Sequence, residues 1–201
     1  MKKVFIILCC VLALQSCNKD NTKNETINGF DINWTGDLGK KEKDAVRDMI
    51  SNMVKVEAGT FYMGAQKDSV GHCYDEEATS LEGPVHEVTV SEFYINKYEV
   101  TQLLWEAIMG ETPNKEKDMQ WEDEFGKGDN YPAYRISYNE VETFISKLNE
   151  YTGLRFSLPT EAQWEYAARG GKDTYYSLYA GGYNVLEVAW IKSGSIYDIN
   201  K

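Results

Sequence analysis

The chain has 201 residues, 42% of them hydrophobic, which is enough for one packed core together with an anchor and a linker. Its formal net charge is −11 and it shows no basic footprint, which argues against nucleic acid as a partner. Aromatic residues make up 13%, with 14 tyrosines and 5 tryptophans, a content that suits binding surfaces and irregular cores because each such ring joins apolar area to a polar handle.

Residues 1–17 differ in character from the rest of the chain. Lys2 and Lys3 give a positive start, and Val4 to Leu14 is an apolar run of signal-peptide length, too short to span a bilayer. The run closes on Leu14-Gln15-Ser16-Cys17. A small residue before a cysteine, with leucine three before it, resembles the lipobox of bacterial lipoproteins. The resemblance implies cleavage before Cys17 and acylation of that residue. The membrane would then be a partner through the lipid anchor, and the expected location is the bacterial cell envelope, at the outer membrane. Each buried methylene of an acyl chain contributes about 0.8 kcal/mol to anchoring. Cleavage removes Cys9 and Cys10, and lipid occupies Cys17, so Cys73 alone remains and the mature chain has no internal disulfide.

Asn18 to Lys40 is polar and reads as a tether, on which Phe30, Ile32 and Trp34 can dock locally. Lys41 to Asn52 fits a short helix, with Val46, Met49, Ile50 and Met53 at helical spacing. Met53 to Gly64 predicts two short strands: Val54 and Val56 alternate with Lys55 and Glu57, Gly59 marks a turn or bulge, and Phe61 and Met63 resume the alternation. Ala65 to Pro84 is an acidic loop. Its His72, Cys73, Asp75, Glu76 and Glu77 have no ligand spacing of a metal site, so it is read as a solvated loop. His86 to Tyr94 is the clearest strand, with Val88 and Val90 on one face. His86 is read as an edge residue with a local hydrogen bond.

Thr101 caps an expected helix to about Met109, with Leu104, Ala107 and Ile108 inward and Gly110 at its end. After a second acidic loop, Ser137 to Glu140 forms a capping box. Val141, Phe144, Ile145 and Leu148 come next at helical spacing, to about Thr152-Gly153. Pro159 then stops any strand. Thr160 and Gln163 make another capping box, and a helix runs to Arg169 before Gly170-Gly171. Trp164, Ala167, Ala168 and Gly171 are placed on its packed face. Glu187 to Ile191 could be one more strand. Helices and strands do not alternate regularly, so the predicted class is α+β rather than a doubly wound sheet.

Several runs together resemble the formylglycine-generating enzyme family, also called sulfatase-modifying factor domains. They are Met53 to Gly64, His86 to Val90, Phe93 to Thr101, Tyr131 to Glu140 and Leu154 to Gly171. The last of these, Leu-Arg-Phe-Ser-Leu-Pro-Thr-Glu-Ala-Gln-Trp-Glu-Tyr-Ala-Ala-Arg-Gly-Gly, is close to diagnostic. The resemblance implies a variant of the C-type lectin-like fold with little regular secondary structure. It also implies a possible chemistry, the oxidation of a sulfatase cysteine to formylglycine with oxygen and a copper ion held by two cysteines.

The family's later motifs, including its Trp-Glu-Trp run and active-site cysteines, do not occur in this sequence. Cys73 does not match those thiolates, and Trp190 stands where many members carry a calcium-liganding Asn. The expectation is therefore a signal peptide over 1–17, a polar tether and short helix over 18–52, and a partial, C-terminally truncated domain over 53–201. No catalytic, cofactor or metal residue is assigned, and Cys17 is the one assigned site. The expected function is a non-catalytic binding or structural module of the envelope, with a protein partner that could complete the domain. The alternative is a metal-dependent oxidase whose catalytic half is supplied in trans. A lectin-like ligand-binding module is a third reading that rests on fold analogy.

Overall fold

The computed structural model describes residues 9–10, 24–65, 78–113, 120–173 and 179–188. Cys17, Cys73, the acidic cluster at Asp75 to Glu77, and Trp190 lie outside these residues. The chain is a mixed α and β structure that divides into two compact units, one of Met1–Lys55 with Phe93–Pro159, the other of Val56–Glu92 with Thr160–Lys201.

The first unit opens with an antiparallel hairpin, β2 (Asn24–Ile27) and β3 (Phe30–Asn33), preceded in the chain by the two-residue β1 (Cys9–Cys10). The stretch expected to be a tether is thus ordered from Asn24. Its turn is Asn28-Gly29, both at positive φ, the combination a two-residue hairpin turn requires. The Asn28 side-chain amide also donates to the carbonyls of Ile50 and Met53, at 3.0 and 2.8 Å. Phe30 and Ile32 are buried, as their expected docking requires.

Helix α1 (Lys40–Ser51) buries Ala45, Val46, Met49 and Ile50. Helix α2 (Gln102–Met109) begins at Thr101, whose hydroxyl accepts from the Leu104 amide, and ends at Gly110 in the left-handed region. Helix α3 (Tyr138–Thr152) carries the full Ser137–Glu140 capping box and ends at Gly153, also left-handed. Leu104 and Ile108 point inward on α2 as expected, and so does Trp105, which the sequence reading passed over. Trp105 stacks on Phe144 with centroids 5.1 Å apart and planes 3° from parallel. Buried Gln102 holds the loop before α3: its amide nitrogen donates to the carbonyls of Gly126 and Pro132, and its oxygen accepts from the Gly128 amide.

A four-stranded sheet completes this unit, in the order β4 (Met53–Val56), β7 (Phe93–Asn96), β1, β8 (Phe156–Ser157). In β4 the inward residue is Met53, while Val54 is 46% exposed, so the alternation expected of Val54 and Val56 is displaced by one residue at its start. Strand β1 runs antiparallel to both neighbours, Cys9 opposite Ile95 and Ser157, Cys10 opposite Tyr94 and Phe156. The far edge of β8 is closed by a side chain. Asn149 of α3 accepts from the Phe156 amide at 2.6 Å and donates to the Phe156 carbonyl at 3.1 Å.

The second unit is built on β5 (Gly59–Met63) and β6 (His86–Val90), paired antiparallel with Phe61 opposite Val88 and Met63 opposite His86. Helix α4 (Glu161–Ala168) packs against them through Tyr166, which is fully buried with its ring centroid 5.2 Å from that of Phe61. Burying a ring of this size stabilises by roughly 1.5–3 kcal/mol. Here the structure corrects the sequence reading: Trp164, placed on the packed face, is 51% exposed, and Tyr166 is the residue that packs. The Thr160–Gln163 capping box is present, and Gly170 and Gly171 both have positive φ as the helix ends. The strand expected at Glu187 to Ile191 is replaced over its first residues by α5 (Val185–Val188), a single helical turn.

Candidate functional site

The most developed polar constellation of the second unit surrounds Gly64, where β5 ends. The Gly64 amide donates to Glu165 Oε1 at 2.8 Å, and its carbonyl accepts from Arg169 Nη2 at 3.2 Å. Glu165 Oε1 also accepts from Arg169 Nε at 2.8 Å. The two side chains lie four apart on α4 and its C-terminal turn, so helical spacing alone brings them together. Only glycine fits between them: φ at Gly64 is 97°, and a Cβ there would run into the Glu82 carbonyl. One carboxylate and one guanidinium thereby grip both polar groups of a single residue.

A groove of about 260 Å³ opens beside this grip. Met63, Ala65 and Leu81 give it an apolar side, and Glu161 and His86 a polar one. Leu81 is 94% exposed at its rim. His86 is exposed, with Nδ1 2.9 Å from the Pro84 carbonyl, the edge position with a local hydrogen bond that was expected. The grip and groove were not found from the sequence, although Glu165 and Arg169 stand four apart within its most informative run.

Two further features carry shifted acidity. In the first unit, Arg47 holds the Glu25 carboxyl below its ordinary value, helped by the Trp34 indole N–H, which donates to Glu25 at 2.9 Å. In the second, burial pushes the Tyr166 phenol above its ordinary value, with Glu57 and Asp173 adding to the shift.

The described residues do not assemble a copper site. No three His, Cys, Asp or Glu side chains among them gather where one ion could be held. No helix among them is long and apolar enough to cross a membrane.

The model of the sulfatase-modifying factor enzyme 1-like domain matches residues 39–198. The chain belongs to this family. Among its relatives, "Chaperone protein LppX" of Paenibacillus barcinonensis is 34% identical over 128 residues, covering 51% of this chain and 45% of the relative. A formylglycine-generating enzyme of Thermomonospora curvata is 26% identical over 168 residues, covering 63% of this chain and 52% of the relative. The chain therefore spans about half the length of the curated relatives it matches. Among solved structures, that of PvdO from Pseudomonas aeruginosa superposes with a TM-score of 0.48 at 30% identity, over 61% of this chain and 48% of that one. Membership of the family bears out the resemblance carried by the Leu154 to Gly171 run. Glu165 and Arg169 lie within that run and hold Gly64, itself the last residue of another matching run.

Proposed function

We propose that the chain is a lipoprotein of the bacterial cell envelope whose sulfatase-modifying factor domain binds other polypeptides and has no catalytic centre of its own. Residues 1–17 act as the signal, Cys17 carries the lipid, and the domain adopts a C-type lectin-like variant of its family's fold. The observation that carries this reading is the 34% identity to a chaperone over 128 residues. The site chemistry agrees with it. Glu165 and Arg169 are engaged with each other and with the backbone, and the groove beside them offers an exposed leucine rather than an activated nucleophile. A rim of this kind, apolar at Leu81 and polar at His86 and Glu161, suits an extended polypeptide.

The family relationship and the formylglycine-generating relative favour a second reading. It is copper-dependent oxidation of a sulfatase cysteine, with the metal-binding thiolates supplied in trans.

One purification tests both. The protein extracted from membranes is weighed intact, then assayed for suppression of aggregation of a denatured client protein and, with its co-purifying proteins retained, for copper-dependent oxidation of a cysteine peptide. The binding reading expects acylated Cys17 at the N-terminus and suppression at near-equimolar ratio. Copper-dependent formation of formylglycine without suppression overturns it.

A further inference from the structure

The sheet of the first unit contains a place for one strand that this chain fills with a segment of its own leader. Among the described residues, strand β1 is the only neighbour of β8 within the sheet, and it lies directly between β8 and β7. Because it is antiparallel to both, β7 and β8 run parallel to each other, and two strand spacings separate them by roughly 9.5 Å. That gap admits a single extended chain.

Neither wall depends on β1 for its position. Strand β7 is paired on its other side with β4, and Phe93 and Asn96 are buried, Asn96 donating to the Met49 carbonyl at 3.0 Å. Strand β8 is fixed by buried Phe156 and by Asn149, which binds both polar groups of Phe156. Successive residues of a strand turn their N–H and C=O to opposite sides. With those of Phe156 committed to Asn149, those of Ser157 face the slot, opposite Cys9. Backbone donors and acceptors inside a sheet are costly to leave unpaired.

We propose that the slot between β7 and β8 is the binding site for an extended apolar segment of a separate client polypeptide, which adds as a strand antiparallel to both walls. The signal run holds that place until the chain is processed. This rests on the binding and lipoprotein readings above and adds, to the groove of the second unit, a client site in the first unit. The observed occupant is the specimen of the chemistry: Cys9–Cys10 lies within the apolar run Val4 to Leu14 and pairs through its backbone. Main-chain pairing gives affinity for any extended chain, and the apolar character gives the preference. Cleavage before Cys17 removes this occupant and opens the slot.

Hydrogen exchange reads the slot directly. Two forms of the whole protein are compared: the mature lipoprotein in detergent, and the uncleaved precursor with Cys17→Ala, each verified by intact mass. In the mature form the amides of Tyr94, opposite Cys10, and of Ser157, opposite Cys9, exchange at least about tenfold faster than in the precursor, as loss of backbone pairing requires. A lysine-flanked peptide carrying residues 4–14 restores the protection, and a labelled copy binds by fluorescence anisotropy. The same peptide with proline in place of Cys9 binds at least about tenfold more weakly, because it lacks the N–H and cannot continue the ladder. Ser157→Pro in the protein weakens the unmodified peptide similarly while the exchange of α1 and α3 stays unchanged.

Protection of Tyr94 and Ser157 in a monomeric mature form without peptide equal to that in the precursor shows a closed slot and overturns the proposal. Protection that appears only in a dimer of the mature form assigns the slot to a second copy and also overturns it. A mature protein whose mass shows no cleavage at Cys17 overturns the lipoprotein reading instead, and suppression of aggregation without peptide binding leaves the binding reading standing while this site falls.

Discussion

The hydroxyl of Tyr166 is buried against the Cα of Gly59, with no hydrogen-bond partner among the described residues. A Cβ at position 59 would run into that hydroxyl. Glycine at the head of β5 is therefore a condition for seating α4, more than a turn marker. Gly59→Ala should destabilise the protein by about 1–3 kcal/mol, the usual effect of overpacking. Tyr166→Phe should be neutral or stabilising by up to about 1 kcal/mol, since it removes an unpaired buried group. The double variant should recover part of the Gly59→Ala loss, because the two changes share one clash. Urea unfolding of the four proteins measures all three.

Trp164 and Tyr166 are two residues apart on α4 and have opposite fates. Trp164→Ala should change stability by less than about 0.5 kcal/mol, the range of exposed positions. Tyr166→Ala should cost about 3–5 kcal/mol through the cavity it leaves. The same unfolding experiment separates them, and acrylamide quenching should show a strongly accessible tryptophan component that is lost in Trp164→Phe.

Glu165 accepts from both the Gly64 amide and Arg169 while about one-fifth exposed. Glu165→Ala should cost about 1–3 kcal/mol, as it removes the acceptor of the half-buried Gly64 amide and one acceptor of the Arg169 guanidinium. Glu165→Gln keeps an acceptor oxygen and should cost less. If the two variants unfolded at the same midpoint, the grip on Gly64 would contribute nothing beyond charge.

Glu25 is bound by Arg47 and Trp34, and its acidity is raised by them. A carboxyl held below its ordinary pKa of 4.5 binds its proton less readily in the folded state than in the unfolded one. Its stabilisation is present above that ordinary value and is lost as pH falls through the lower folded value. The pair is about one-third exposed, so the contribution at pH 7 should be no more than about 1 kcal/mol. The stability difference between wild type and Glu25→Gln should be largest near neutrality and shrink toward zero below pH 4.5, which thermal unfolding across pH would show.

Local rules were legible where they act within a few residues. Both capping boxes, the left-handed glycines at 110 and 153, and the inward stripe of α3 follow from spacing alone. The hairpin at Asn28-Gly29 was also written in the sequence, but the polarity around it masked the turn signal. What could not be read depends on contacts between distant parts of the chain. The choice of Tyr166 over Trp164 is made by Gly59 and Phe61, about a hundred positions earlier. The displaced alternation in β4 depends on what Met53 meets in the core. At the candidate site, the spacing of Glu165 and Arg169 was visible, but their shared partner, the backbone of Gly64, was not.

The amide of Asn149 does for β8 what a further strand would otherwise do, and it does so on one side only. A sheet that lengthens by recruitment needs a second free edge on each newcomer's neighbour, and β8 has none to offer. Pairing at its remaining edge is therefore limited to one chain for each copy of the protein. Growth past β8 toward a fibre is blocked by a single side chain, so an exposed strand can be held here without seeding a polymer.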